Sequence, residues 1–215
     1  MEYFDHCFIE GDTLETSDVV NGGAELFLYQ SGYLTIKGYD DGVYILGFPN
    51  FEVRKALYRV VVPALTMKSN SEVVSAQSFL RKMMQDGNTA EAKKALKALI
   101  ADVPYSNKKM ASMDMEERYR LIMSTIFRAL GFRVEVERML ATGRIDMIVE
   151  VPSIIYVLEL KLSNNGGISA AESQIKEKSY TEPFKADKRK VIALAVELDE
   201  TGKGLIDWKE VDESL

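Results

Sequence analysis

The chain has 215 residues, of which 47% are hydrophobic and 28% are charged, an ordinary balance for a globular protein that can bury a sizeable core. The net charge of -6 and the pI of about 5.1 argue against tight, non-specific binding of nucleic acid through an overall positive field. A single cysteine, Cys7, excludes an internal disulfide, and no signal peptide or membrane-spanning apolar run is visible, so we expect a cytoplasmic protein without membrane contact.

The first 65 residues are predicted to form a winged-helix-like fragment. Residues 1–21 are polar and weakly patterned, so we expect loose order there. Asp40-Asp41-Gly42 is a good hairpin turn, Asn50 is placed to cap a helix and Pro63 to end it. Few basic residues occur in this part, so packing or partner docking is favoured over DNA binding. The predicted elements are a helix (24–30), two strands (33–39 and 43–48) and a helix (51–62).

Residues 66–110 are predicted to be a helical connector. Ser69-x-x-Glu72 has the pattern of a capping box and opens a helix that runs to about Gln85. Asn88-x-x-Glu91 opens a second helix that runs to about Ala101. The breaker Val103-Pro104-Tyr105-Ser106-Asn107 then indicates a boundary before a third segment, 111–215.

The third segment has the pattern of an α/β domain. Apolar residues at helical spacing precede Gly131, and Ser169-x-x-Glu172 is predicted to cap a later helix that ends near Tyr180. Between and after these helices lie β-rich runs, which together predict helices packed on a mixed sheet. The predicted strands are 132–138, 145–149, 154–160, 190–198 and 205–208.

Two of these strands form a predicted hairpin around the breaker Val151-Pro152-Ser153. A turn centred near Pro152 pairs residues whose numbers add to 305, which places Asp146 opposite Glu159. Side chains alternate along a strand, so Lys161 lies on the same face as Glu159. The hairpin therefore predicts two carboxylates and a lysine at one edge.

Two carboxylates brought together in an apolar hairpin repel unless a proton or a cation neutralises them. Magnesium suits such a site, because it accepts one or two carboxylates and completes its shell with water and phosphate oxygens. The neighbouring lysine would then hold an attacking water or stabilise charge on a phosphate oxygen. The competing interpretation is a salt-bridged cluster on a sheet edge.

The sequence Gly143-Arg144-Ile145-Asp146, with Leu158-Glu159-Leu160-Lys161, resembles the motif of the PD-(D/E)XK nuclease superfamily. More narrowly, the chain resembles the nuclease-like domain at the C-terminus of many bacterial AAA-ATPase-like proteins, and residues 26–54 are similar to the stretch that joins the two parts there. The resemblance implies a restriction-endonuclease-like sheet flanked by helices. It also implies that Asp146, Glu159 and the Leu160 carbonyl hold Mg²⁺ (or Mn²⁺) and that Lys161 is catalytic.

The same resemblance assigns supporting residues. A glutamate on the first helix commonly supports the site, and Glu117 matches best, with Glu116 as its substitute if the helix register differs. Gln174, Lys178 and Tyr180 resemble a QxxxK/Y motif that contacts substrate, although an exposed polar helix face is equally consistent with the pattern. The variable proline of the superfamily motif is Ile145 here.

We therefore expect a Mg-dependent hydrolase of phosphodiester bonds in nucleic acid. The alternative is a catalytically silent nuclease fold that serves as an interaction or regulatory module for an ATPase, and a DNA-binding regulator acting through 24–62 is a third interpretation. No G-x-x-x-x-G-K-[ST] loop occurs in the sequence. The chain is thus either a truncated relative of the fusion proteins or a protein that acts with an ATPase encoded elsewhere.

Overall fold

The computed structural model of the protein describes residues 2–15, 23–66, 68–101 and 113–212. The chain divides into two compact units, Met1–Arg59 and Val60–Leu215. The breaker at 103–107 and the predicted domain boundary at 110 lie outside the described residues. Among the described helices, none is long and apolar enough to cross a membrane.

The smaller unit contains a three-stranded antiparallel sheet in the order β1-β3-β2. The prediction of loose order at the N-terminus is wrong for 2–15, because a strand there pairs with β3. The predicted hairpin is confirmed, and Asp41 and Gly42 both have positive φ, at 42° and 86°, as a two-residue hairpin turn of type I′ requires. A winged helix remains a prediction. The elements are β1 (Cys7–Glu10), α1 (Gly11–Glu15), α2 (Gly23–Gln30), β2 (Thr35–Asp40) and β3 (Val43–Gly47).

Helix α3 (Phe51–Thr66) begins where the sequence predicts and ends later. The Asn50 side-chain oxygen accepts a hydrogen bond from the Val53 amide at 3.0 Å, as expected for a helix cap. Pro63 lies inside the helix, so the prediction that it ends the helix is wrong. The proline removes one backbone donor, but the turn around it holds, with the Thr66 hydroxyl donating to the Val62 carbonyl at 2.9 Å.

The larger unit begins with the two predicted helices α4 (Asn70–Asp86) and α5 (Thr89–Ile100). The capping box of Ser69 and Glu72 is present at the start of α4. Asn88 caps α5 by accepting from the Glu91 amide at 3.2 Å. These helices, predicted as a connector, lie within the same unit as the rest of the chain after residue 60.

The core of the larger unit is a five-stranded mixed sheet in the order β4-β5-β6-β7-β8. Strands β6 and β7 are parallel, and the other neighbours are antiparallel. Helix α7 makes the connection between the two parallel strands, as such a pair requires. This is the predicted α/β fold of restriction-endonuclease type. The elements are α6 (Met115–Ala129), β4 (Arg133–Met139), β5 (Arg144–Glu150), β6 (Ile154–Leu162), α7 (Gly167–Lys178), β7 (Lys190–Leu198) and β8 (Leu205–Val211).

Helices cover both faces of this sheet. On one face the buried Ala171 and Ile175 of α7 pack in a cluster with Val157 and other apolar strand residues. The neighbouring Tyr156 points to the opposite face, because side chains alternate along a strand, and its hydroxyl donates to the Met84 carbonyl of α4 at 2.6 Å. The sheet is therefore buried on both sides, which matches the nearly continuous apolar runs in its inner strands.

The start of α7 differs from the prediction. Ser169 lies inside the helix and Gly166 is the N-cap residue, so the predicted capping box of Ser169 and Glu172 is wrong. Glu197 of β7 replaces it, since its Oε2 atom accepts from the Ile168 amide at 3.3 Å. A carboxylate at this end of a helix is favourable because the backbone amides there are otherwise unpaired. The start of α7 is therefore capped by a side chain from strand β7 and not by Ser169 of its own segment.

Gly167→Ala is expected to destabilise the larger unit by about 1–3 kcal/mol. Gly167 has a φ of 51°, and a Cβ atom there would lie 2.7 Å from Glu197 Cδ, so the substitution strains the backbone and pushes away the capping carboxylate. Urea unfolding of the variant measures the loss. Ser169→Ala is the matched control and should change stability by less than about 0.5 kcal/mol. A larger effect at Ser169 than at Gly167 would restore the predicted capping box.

Candidate active site

The register of the hairpin between β5 and β6 brings the predicted acids together. Met147 pairs with Leu158 and Glu150 with Ile155, so paired residue numbers add to 305 as predicted. Asp146 and Glu159 are the next residues beyond the last pair of this ladder, and they lie close enough for the charge of Asp146 to raise the pKa of Glu159. The apolar strands thus end in a pair of carboxylates that face each other across the hairpin.

Both carboxylates are buried, with Asp146 4% and Glu159 0% exposed. The Leu160 amide donates to Asp146 Oδ2 at 2.9 Å, and Lys161 Nζ donates to Glu159 Oε1 at 2.6 Å. Glu159 Oε2 is buried and has no hydrogen-bond partner among the described residues. A buried carboxylate oxygen without a partner is costly, so this atom favours either a proton or a cation next to it.

The pKa values of these groups reflect their crowding. Burial and then the charge of Asp146 raise the pKa of Glu159, the hydrogen bond and charge of Lys161 oppose both effects, and the resulting pKa is about 8. For Lys161, burial lowers the pKa, but the hydrogen bond to Glu159 and the charges of three nearby carboxylates, Glu159, Asp146 and Glu116, outweigh it, so the pKa of the ammonium is raised. The Lys161 ammonium therefore stays charged, whereas the site favours a neutral Glu159 carboxyl group or a cation beside it.

Helix α6 contributes Glu116 to this cluster, whereas the sequence favoured Glu117. Burial raises the pKa of Glu116, the charge of Asp146 raises it as well, and the charge of Lys161 lowers it. Glu116 therefore interacts electrostatically with both Asp146 and Lys161. Glu117 is exposed. Asp114 caps the helix by accepting from the Glu116 amide at 3.2 Å, and this start of the helix decides which of the two adjacent glutamates faces the sheet.

The donor atoms fit a hard divalent cation. Asp146 and Glu159 offer carboxylate oxygens, and the unpartnered Glu159 Oε2 is a ready ligand. The two backbone groups of a paired strand residue face the same neighbouring strand, so the Leu160 carbonyl points to the side where its amide meets Asp146. Within the described ranges, no group of three His, Cys, Asp or Glu side chains is arranged to hold a metal. Water and phosphate would have to complete the shell, as is usual for magnesium.

The three residues predicted to contact substrate occupy different environments. Lys178 is exposed at the end of α7, and Gln174 is half-buried. Tyr180 is fully buried, and its hydroxyl accepts from Gln174 Nε2 at 2.9 Å and donates to the Arg144 carbonyl at 2.7 Å. A contact of Tyr180 with substrate stays a prediction, and the structure shows this side chain buried with both of its hydroxyl bonds made inside the protein. Gln174 and Tyr180 instead form a bridge that ties α7 to the start of β5, two residues before Asp146.

Residues 114–208 match the sequence model of the family described as the PD-(D/E)XK nuclease superfamily. The chain is also 26% identical over 216 aligned positions to a protein named "Uncharacterized protein in vnfD 5'region" from Azotobacter chroococcum mcd 1. That alignment covers 94% of this chain and 40% of the relative, so the chain spans less than half of the relative's length. No solved structure gives a significant match. In sequence and in fold, the part of the chain from 114 to 208 is similar to the PD-(D/E)XK nucleases.

Proposed function

We propose that this protein hydrolyses phosphodiester bonds of nucleic acid with the help of Mg²⁺ or Mn²⁺. The observation that carries the proposal is the buried pair of Asp146 and Glu159, which directly follow the last pair of the β5–β6 ladder, with Lys161 bonded to Glu159. This pair lies in the part of the chain that is similar to the PD-(D/E)XK nucleases. A fold retains a buried like-charged pair at a cost in stability, which points to a functional role.

Asp146, Glu159 and the Leu160 carbonyl would hold the cation. When bound, the metal would act as a Lewis acid on the phosphate and lower the pKa of a coordinated water. Lys161 carries a positive charge at the edge of the pair, where it would orient the attacking water and offset negative charge that develops on phosphate oxygens. Glu116 is the residue we assign to a water-mediated contact with the cation, in place of Glu117.

The remaining residues position these groups. Gln174 and Tyr180 hold the start of β5, and through it Asp146, against helix α7. Lys178 is exposed and lies one helical turn after Gln174 on α7, and it is our candidate for a contact with the substrate backbone. The burial of the carboxylates excludes bulk water from the pair, and this strengthens each electrostatic interaction within it.

The direct test combines metal binding with cleavage. Isothermal titration calorimetry with Mn²⁺ should give one site per chain, and labelled single-stranded and duplex DNA and RNA should be cut in Mg²⁺ or Mn²⁺ and left intact in EDTA. Asp146→Asn removes a ligand charge but keeps the hydrogen-bond acceptor for the Leu160 amide, so it should lose metal binding and cleavage while remaining folded. Wild-type protein that binds no metal and leaves every substrate intact would refute the proposal.

A catalytically silent interaction module is the second candidate, and a specific observation favours it. Lys161 Nζ already bonds Glu159 Oε1, and the two carboxylates are almost fully withdrawn from solvent, which is the arrangement of a buried structural ion pair. In that case the protein would bind no divalent cation, and Asp146→Asn would change stability alone. The predicted ATPase partner belongs to this second candidate and is tested by co-purification with an ATPase from the native cell.

A further inference from the structure

A second group of charges lies beside the carboxylate pair and has no role in the function proposed above. Glu137 of β4 accepts a hydrogen bond at one oxygen, Oε1, from Arg120 of α6, and the same oxygen forms an ion pair with Arg144 of β5 at 2.8 Å. Two guanidinium groups therefore share a single carboxylate oxygen. Within this group of three side chains, two positive charges meet one negative charge, in a protein whose net charge is -6.

The arginines have donors to spare. Arg120 is 8% exposed, and its Nε is buried with no hydrogen-bond partner among the residues that the structure describes. Arg144 is more open, with 48% of its side chain exposed. A guanidinium has five N–H donors in a planar fork that suits the several oxygens of a phosphate better than one shared carboxylate oxygen.

The backbone of Glu137 is unusual for a strand residue. Its φ is 54°, in the left-handed region that residues with a side chain rarely adopt. The ladder between β4 and β5 runs from Val136, paired with Met147, to Arg138, paired with Ile145, so Glu137 is the position opposite Asp146. This departure from strand geometry thus occurs directly beside the candidate metal ligand.

The two arginines also adjoin the candidate site from both of its flanks. Arg144 precedes Asp146 by two residues on β5. Arg120 follows Glu116 by one helical turn on α6, and its charge lowers the pKa of Glu116 against the larger effects of burial and Asp146. An anion held by this pair would lie close to the carboxylates that face each other across the hairpin.

We propose that Arg120 and Arg144 form a binding site for a phosphate of the nucleic-acid backbone, and that the Glu137 carboxylate occupies this site in the free protein. The inference rests on the proposed function, because it takes nucleic acid as the ligand. An incoming phosphate displaces Glu137 and gains both guanidinium groups. The exposed side chain of Glu137, at the end of a strained backbone segment, is free to turn toward solvent.

Binding measured apart from cleavage tests the inference. Fluorescence anisotropy of a labelled DNA oligonucleotide in EDTA should show about 5- to 10-fold tighter binding for Glu137→Gln than for the wild type at 50 mM salt. Arg144→Gln should bind about 10-fold more weakly. The slope of its log affinity against log salt concentration should be smaller in magnitude by about 1, as expected for the loss of one phosphate contact. Glu137→Gln combined with Arg144→Gln should lose most of the gain.

Glu135→Gln is the matched control. Glu135 lies two positions earlier in the same strand, is similarly exposed and pairs with Arg138 at 3.6 Å, so its substitution removes the same charge away from the arginine pair. We expect its affinity to change by less than about 2-fold. Equal gains for Glu135→Gln and Glu137→Gln, or an unchanged salt dependence for Arg144→Gln, would overturn the inference.

The two proposals fail in different ways. If the pattern of affinities appears but no substrate is cut in Mg²⁺ or Mn²⁺, the phosphate site stands and the hydrolase does not. If the wild type cuts and the affinities of the Glu137 and Arg144 variants equal that of the wild type, the hydrolase stands and the phosphate site does not. Thermal unfolding of each variant shows whether the fold is kept, and Arg144→Lys, which retains the charge, should restore part of the binding lost by Arg144→Gln.

Discussion

Lys161→Ala is expected to lower the rate of phosphodiester cleavage by about 10² to 10⁴-fold. The substitution removes the positive charge that is bonded to Glu159 at 2.6 Å and leaves the predicted metal ligands in place. Because the lysine acts on the water and on the charge of the phosphate, its loss should appear in kcat more than in the affinity for the cation.

The fold should survive this change because the buried pair can take up a proton. Lys161 lowers the pKa of Glu159, so its loss raises that pKa further above about 8 and keeps Glu159 neutral at physiological pH. A neutral carboxyl group needs no counter-charge in the interior. The free energy of unfolding should therefore change by only about 1 kcal/mol, which corresponds to a few degrees in melting temperature for a unit of this size.

Single-turnover cleavage assays in Mg²⁺ measure the effect, with metal titration of the same variant. Lys190→Ala is the control, since Lys190 is an exposed lysine paired with Ile154 at the other end of the same parallel strands. It should cleave at the wild-type rate. Equal activity of Lys161→Ala and the wild type would remove Lys161 from the mechanism, and an unfolded variant would show that the ammonium is structural.

Glu159→Gln is expected to make the protein more stable and, in the same step, inactive. The side chain keeps its shape and still offers Lys161 an oxygen acceptor, but it no longer brings a second negative charge next to Asp146. Near neutral pH the wild type must take up a proton at Glu159 when it folds or bury a repelled charge, and the variant avoids this cost, so the free energy of unfolding should rise by about 1–3 kcal/mol. Stability gained at the expense of activity is common where a functional site is strained.

The gain should depend on pH. The Glu159 carboxyl has a pKa near 4.5 in an unperturbed chain and about 8 in the folded protein, where burial and then Asp146 raise it. The folded state therefore binds this proton more tightly than the unfolded state, and the stability that it contributes is complete below pH 4.5. That contribution is lost as the pH rises through about 8. The advantage of Glu159→Gln should be small at pH 5 and largest above pH 8.

Urea unfolding in EDTA at pH 5, 7 and 8.5 measures this difference. Glu172→Gln is the control of opposite sign, because hydrogen bonds from Lys209 and then Lys176 lower the pKa of Glu172. Its carboxylate contributes stability above the unfolded pKa, so its variant should show no gain that grows with pH. A gain for Glu159→Gln that shrinks as the pH rises would contradict the description of the pair. Added Mn²⁺ should stabilise the wild type and not this variant.

Much of the strand architecture follows from local sequence. The breaker around Pro152 and the alternating runs on either side specify the hairpin and its register, and the strand 190–198 is found at its predicted bounds. The caps at Ser69 and Asn88 also follow from the sequence, because a cap bonds to backbone groups within three residues. Helix α7 is capped by Glu197 from another strand, and for this helix the capping box predicted from Ser169 and Glu172 was wrong.

The sequence by itself determined that Asp146, Glu159 and Lys161 meet, because hairpin register and strand alternation depend on a few neighbouring residues. Only the tertiary structure decided that Glu116 rather than Glu117 faces them, since the start of α6 sets the rotation of that helix. It also decided that Tyr180 is a buried support and that Arg120, Glu137 and Arg144 converge. These residues lie on separate helices and strands, and the packing of those elements, which no local pattern encodes, brings them to one place.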